Sequence, residues 1–372
     1  MDSASGSAGC PRPALWHVRV FVLNNYDLER VGVEVARGEK PSHHLFGVDA
    51  LKRAGWQVEI APQASARHAG WPIPLGSLSQ QHAAWRQRRA CDVIYAPCQT
   101  ETHILSYLRG LGLFRVPIVT LAHHPPAGGR LRWLRAPFLR LQVRGTDRFP
   151  ALSGAVAAQF RMIAARPDAA DYAPVLRWGP DLAYYDRFRV PGAGEGAVAA
   201  GRTGRDWRTL ALAAARARTP LRVVCLEKEG HENVAVFGPE CEIISSRSEA
   251  DLLYPDLLPL LATARVHAIS LASTTTLAGL TSLTDALALG KPVIMTRHPL
   301  IDLDIEDEGI GRWVTTEDVS GWAAALRWFE EHPREAADMG QRARTLAETT
   351  WNSGLFARQL MNVLRAAAGS PQ

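Results

Sequence analysis

Lysine is scarce in this chain, and the cysteines make no pattern that carries chemistry. Only Lys40, Lys52, Lys228 and Lys291 stand among 42 basic residues, so nearly all positive charge is arginine, which is planar and permanently ionised. The five cysteines, Cys10, Cys91, Cys98, Cys225 and Cys241, contain no pair at the two-residue spacing of a zinc or redox motif, and read as reduced, buried thiols. No apolar run approaches the ~20 residues of a membrane span. Residues 1–16 lack the basic start and apolar stretch of a signal peptide, which predicts a soluble, cytoplasmic protein. Internal repeats and long low-complexity tracts are also missing. No zinc-finger spacing, basic-helix run or aromatic–basic sheet motif is present, so nucleic acid is not an expected partner.

What is present fits a folded chain of ordinary composition, 47% apolar and 21% charged. Its 372 residues are enough for about two domains. The charge divides unevenly. Residues 1–180 carry 22 Lys and Arg against 12 Asp and Glu, a balance of +10, and residues 181–372 carry 20 against 25, a balance of −5. Such asymmetry points to an anionic partner for the first half, a phosphorylated acceptor or an acidic membrane surface.

Short β-branched runs alternate with helical patterns, the signature of βαβ units on a parallel sheet covered on both faces. In the first half, 17–23, 56–61, 92–96 and 116–122 read as strands, with helices near 42–54, 100–112 and 157–165. After the Gly-rich stretch 191–196, strands are expected at 197–201, 221–226, 241–245, 266–271 and 292–296. Helices are expected at 206–217, 281–289, 320–331 and 333–347. A last stripe, Leu355, Phe356, Leu360, Val363 and Leu364, predicts a C-terminal helix over 353–367 that packs on something. The expected organisation is a flexible start (1–16), a Rossmann-like domain (17–190), a second Rossmann-like domain (191–352) and a C-terminal helix (353–372) packing back on the first. In open α/β sheets ligands sit beyond the carboxyl ends of the strands, so two facing sheets make one cleft.

The segment 278–296, AGLTSLTDALALGKPVIMT, resembles the donor-binding motif of GT-B glycosyltransferases, particularly the retaining enzymes of family 4. Three further segments agree in order. WGPDLAYY (178–185) resembles the exit from the first domain, AAGRTGRDWRTL (199–210) the first strand and helix of the donor domain, and VTLAHHP (119–125) the strand end that carries an active-site histidine. The resemblance implies an α/β fold of two Rossmann-like domains facing across a cleft. It implies transfer of a sugar from a nucleoside diphosphate donor to a hydroxyl or amine, with retention and with no metal or other cofactor. The acceptor would be a small molecule, a glycan or a lipid-linked saccharide held by the first domain.

Physical chemistry gives these residues a rationale and a competing one. Thr281 and Ser282 open a helix after Gly279, so the free amides of Leu280, Thr281 and Ser282 and the helix dipole favour a diphosphate there. Asp285, read as lying in the first turn, would by resemblance accept from the ribose hydroxyls, although Ser282-x-x-Asp285 also fits a capping box. Gly201 precedes Arg202 and Arg205, whose guanidinium groups would clamp the leaving diphosphate, unless they pair with Asp206. His123 and His124 end a strand at the lip of the cleft, and by resemblance one of them touches the sugar or acceptor, with His124 favoured. Lys291, in the Gly-Lys-Pro turn after the helix, reads as solvated.

Two departures from the family stand out. Where many members have a Gly-Gly pair under the donor phosphates, this chain has Pro41-Ser42-His43-His44 after a long insertion, 24–40. Asn25, Ser42 and His44 are candidate acceptor contacts there, with helix capping as the alternative for Ser42. Leu277 stands where many retaining members have a glutamate. Apolar residues around Ile243–Leu258 are candidates for cradling the base, with core packing the alternative. Asp302-x-Asp304 reads as acids of a loop feeding a helix and not as a metal site, since hard cations need several convergent oxygens. The Arg-rich segment 130–144, interrupted by Pro137, reads either as a helix packed on its own domain or as an anionic membrane contact. The rival functions are a nucleotide-sugar epimerase of the same fold and a non-catalytic nucleotide-sugar-binding protein. A periplasmic ligand-binding protein is disfavoured for want of an export signal.

Overall fold

The computed structural model describes residues 18–63, 73–126, 132–192, 194–202, 204–229, 237–246 and 253–369. Two parallel sheets form it. The first runs in the order β2-β1-β3-β4, with β1 at Arg19–Val22, β2 at Gln57–Ile60, β3 at Val93–Ala96 and β4 at Ile118–Thr120. The second runs β10-β9-β8-β5-β6-β7, with β5 at Glu195–Ala200, β6 at Leu221–Leu226, β7 at Cys241–Ser246, β8 at Ala264–Ile269, β9 at Val293–Thr296 and β10 at Gly311–Val314. Every ladder between these strands is parallel, and the central strands β3 and β9 are buried along their whole length. Their near-continuous Val, Ile and Ala runs follow from this, because helices cover both faces.

Nine of the ten strands fall where hydrophobic runs predicted them, and β10 does not. Its four residues, Gly-Arg-Trp-Val, hold too little apolar pattern to stand out, and only pairing with β9 makes them a strand. Within the stretch 24–40, Leu28–Ala36 is a helix, capped by Asp27, whose carboxylate accepts from the Arg30 amide at 2.9 Å. Pro137 does not interrupt its segment either, since Arg132–Arg144 is one helix. That helix packs inward, with Phe138 edge-on to Tyr107 at 5.7 Å, while Trp133 stays 70% exposed. Leu131 and Arg130 lie outside the described residues.

The chain crosses between the lobes twice, and the crossings touch. A side chain at Gly179 would meet the Trp351 carbonyl at 2.4 Å, and the Ser353 amide donates to Pro180 O at 3.0 Å. Beyond this point the helix Ser353–Ala368 returns to the first lobe. It buries Phe356, Leu360 and Leu364 there, with Phe356 against Phe46 and the Arg365 guanidinium over Trp56.

Candidate active site

The cleft lies between the carboxyl ends of the two sheets, and its donor-lobe wall begins at the end of β5. Gly201 has φ +139°, and a Cβ there would lie 2.2 Å from Arg205 Nη2, so the guanidinium packs flat on this glycine. Arg205 Nη2 donates to Ser282 Oγ at 2.7 Å, and Ser282 Oγ donates to Ala200 O at 3.1 Å. The other donors, Arg205 Nε and Nη1, are buried without an acceptor among the described residues. Burial lowers this guanidinium to about 10, and the nearby carboxylates of Asp285 and Glu229 oppose the fall, so it remains a cation at neutral pH. Asp206 is not its partner: that carboxylate caps the helix Trp207–Ala217 through the Thr209 amide. Burial also lowers Arg202, which feels Tyr254 and Glu229.

Facing Arg205 is the helix Leu280–Leu289, whose N-cap is Gly279 at φ +82°. A Cβ at Gly279 would press to 2.8 Å from Met295 Cε. Three details differ from the sequence reading. The helix starts one residue earlier than Thr281, Ser282 is inside it and does not cap it, and Asp285 sits in its second turn. The capping-box alternative therefore fails, and the dipole contributes little at Asp285. The amides of Leu280, Thr281 and Ser282 have no acceptor among the described residues, while the Leu280 side chain belongs to the core.

Asp285 is only 5% exposed. Its Oδ1 accepts from the Tyr185 hydroxyl, and burial pushes the carboxyl up to about 7 against the opposing pull of Tyr185 and Arg205. Beneath it a small cavity is lined by Ser282, Ala200, Val198, Leu261 and His267 among others. Tyr185 ends the short hinge helix Leu182–Tyr185, which Asp181 caps. It was absent from the candidate residues although it lies in the WGPDLAYY motif. The doubled aromatic of that motif was the available signal.

On the opposing lobe, the two histidines after β4 have different surroundings. His123 Nε2 donates to Pro97 O at 2.6 Å, its ring lies against Phe46, and burial lowers it to about 4. It is a neutral structural side chain. His124 is exposed at the cleft, and its Nδ1 accepts from the Leu277 amide at 3.2 Å, which leaves its Nε2–H free to donate. This bond joins the lobes. Gln99, missed in the sequence, clamps the pair: its Oε1 accepts from both histidine amides and its Nε2 donates to the His124 carbonyl.

The acceptor candidates scatter. Asn25 is half-buried at the end of β1 with no side-chain hydrogen bond among the described residues. Ser42 neither caps a helix nor faces the cleft freely, since its hydroxyl donates to Asp181 Oδ2 at 2.7 Å. His44 crosses the cleft to the Tyr254 hydroxyl at 2.7 Å. Lys291 is not solvated. It is 1% exposed and donates to Gly192 O, and burial lowers it to about 8. The loop acids are engaged as well: Asp302 accepts from the Gly154 amide, at the start of the helix Gly154–Ala164 in the other lobe, and Asp304 accepts from Trp313 Nε1. Between Ile243 and Leu258, residues 247–252 lie outside the described residues, and Leu258 is core.

No family model and no curated protein sequence matches this chain. Solved structures do. HepE of Anabaena in complex with UDP is similar over 94% of this chain and 100% of its own, at 16% identity and a TM-score of 0.63. A glycosyltransferase from Rickettsia africae matches over 95% and 99%, at 13% identity and 0.69. WaaG, a glycosyltransferase of lipopolysaccharide biosynthesis, matches over 93% and 99%, at 15% identity and 0.60. At such identities the likeness concerns the fold, and this chain has the two-lobed GT-B fold of glycosyltransferases.

Proposed function

We propose that this protein is a glycosyltransferase that moves a sugar from a nucleoside diphosphate donor to a hydroxyl or amine of an acceptor held by the first lobe. One observation carries the reading. A buried guanidinium with two orphan donors, Arg205, stands against an open helix start at residues 280–282, with the Asp285 carboxylate one turn further along. Orphan buried donors are costly unless a ligand satisfies them, and a pyrophosphate followed by a ribose supplies acceptors and hydroxyls in that order.

In the reaction, the bond from the anomeric carbon to the diphosphate oxygen breaks and a bond to the acceptor oxygen or nitrogen forms. Positive charge from Arg205 and the helix start stabilises the leaving diphosphate, a contribution of about 3–4 kcal/mol for one well-aimed donor. With retention of configuration, the leaving phosphate oxygen takes the acceptor proton, so no side-chain base is required. No metal is required either, because the arginine and the amides carry the positive charge. His124, whose Nδ1 is engaged by the Leu277 amide, offers its Nε2–H to the transferred sugar. The UDP and UDP-glucose complexes of HepE make a uridine nucleotide the first donor to try. The protein works in the cytoplasm, where nucleotide sugars are supplied. Trp133 and the flanking arginines give it a weak contact with anionic membrane, which liposome co-sedimentation of Trp133→Ala against wild type tests.

Thermal-shift screening against UDP-, GDP-, ADP- and dTDP-sugars tests the central claim. A shift lost in Arg205→Ala and Asp285→Ala supports it, and no response to any nucleotide refutes it. Incubation with donor alone separates the rivals: an epimerase releases an altered sugar or its nucleotide without acceptor, and a binding protein turns nothing over with any acceptor.

A further inference from the structure

Tyr185 is a fully buried phenol and Tyr254 a half-buried one, both outside the sequence-derived site and both beside Asp285. The Tyr185 hydroxyl donates to the Asp285 carboxylate, and the Tyr254 ring stands edge-on to the Tyr185 ring with centroids 6.5 Å apart. A carboxylate only accepts, so the single Tyr185 proton is committed to Asp285. Tyr254 in turn lies 2.7 Å from His44 Nε2. Burial, His43, Lys40 and Arg202 all push His44 well below its ordinary value, so it is neutral with one ring proton to donate. The His44–Tyr254 bond spans the cleft, and beside it Tyr185 donates to Asp285 Oδ1. Asp285 Oδ2 makes no hydrogen bond among the described residues and borders the cavity.

We propose that Tyr185 is a positioning residue that aims Asp285 Oδ2 at the donor ribose, and that the His44–Tyr254 bond, packed edge-on against Tyr185, ties the opposing lobe to this corner. The nucleoside end of the site is then completed only when both lobes are in place. This rests on the donor-site reading above. The charged and titratable groups around Asp285 are few. They are Arg205 from the loop after β5, Tyr185 from the hinge, Tyr254 from the helix Tyr254–Ala262, and His267 from β8, which burial keeps neutral and which donates to Leu261 O. Arg202 and Glu229 act on Tyr254 and Arg205 and not on Asp285 directly. Of the neighbours, only Arg205 and Tyr185 favour the carboxylate form, so removing the Tyr185 hydroxyl moves its ionisation to higher pH.

The experiment is calorimetric titration with whichever of UDP, GDP, ADP and dTDP gives the largest thermal shift. Wild type, Tyr185→Phe, Tyr254→Phe and Asp285→Asn are compared near pH 6 and pH 8.5. Tyr185→Phe is expected to weaken binding about tenfold near pH 6 and less than about threefold near pH 8.5, in line with one hydrogen bond to a charged group. Tyr254→Phe, which removes only the bond to His44, is expected to weaken binding by less than about threefold and equally at both pH values. Asp285→Asn binds weakly with no difference between the two pH values. Tyr185→Phe affinity equal to wild type, or reduced equally at both pH values as simple loss of packing would do, overturns the proposal while leaving the donor site standing. A wild type that binds none of the four overturns the donor site itself.

Discussion

Replacing Asp285 with Asn should make the empty protein more stable and the donor site useless, and the stabilisation should depend on pH. Asp285 is buried with its carboxyl raised from the ordinary 3.8 to about 7. In the unfolded chain it ionises near its ordinary value, so between those limits the native state holds a proton that the unfolded state has lost. Stability is therefore fully present below about pH 4 and falls as pH rises through about 7. The gap corresponds to at most about 4 kcal/mol, and relaxation around the Tyr185 and Arg205 partners reduces the realised cost to about 1–2 kcal/mol. Asparagine keeps an acceptor for Tyr185 and carries no charge. Thermal unfolding of wild type and Asp285→Asn at pH 5 and pH 8 measures the effect. The variant should gain about 2–4 °C per kcal/mol in a lobe of this size. Its advantage should be larger at pH 8 than at pH 5. A variant less stable than wild type at pH 8, or an equal difference at the two pH values, would refute the assignment of the burial cost to this carboxylate.

Gly201→Ala should act like an Arg205 mutation without touching the arginine, because its Cβ would overlap the guanidinium at 2.2 Å. Nucleotide affinity measured by calorimetry should fall at least about tenfold, since a displaced guanidinium loses one charge-assisted bond or more. The two histidines should separate kinetically: His124→Ala lowers kcat with donor KM little changed, whereas His123→Ala lowers the melting temperature through lost packing against Phe46 and the lost bond to Pro97. Asp302→Ala removes an N-cap supplied to one lobe by the other. It should cost about 1 kcal/mol in urea unfolding, with the helix Gly154–Ala164 more open to hydrogen exchange.

Much of the architecture was readable because strands of a covered parallel sheet are short, β-branched-rich runs, and nine such runs stand in the sequence between helical patterns. The helix start after Gly279 was legible to within one residue, since a glycine followed by helix formers leaves a mark in residue type. Local pattern could not decide which residues meet across the cleft. His44 and Tyr254 are 210 positions apart, and Tyr185 and Asp285 are 100 apart. Packing alone gave Lys291 a buried place, engaged Ser42 with Asp181, and separated His123 from His124. The physical reason is range: helix and strand periodicity is set by neighbours within a turn or a pleat, whereas the ionisation and aim of a buried side chain are set by whichever groups the folded chain brings within hydrogen-bond reach.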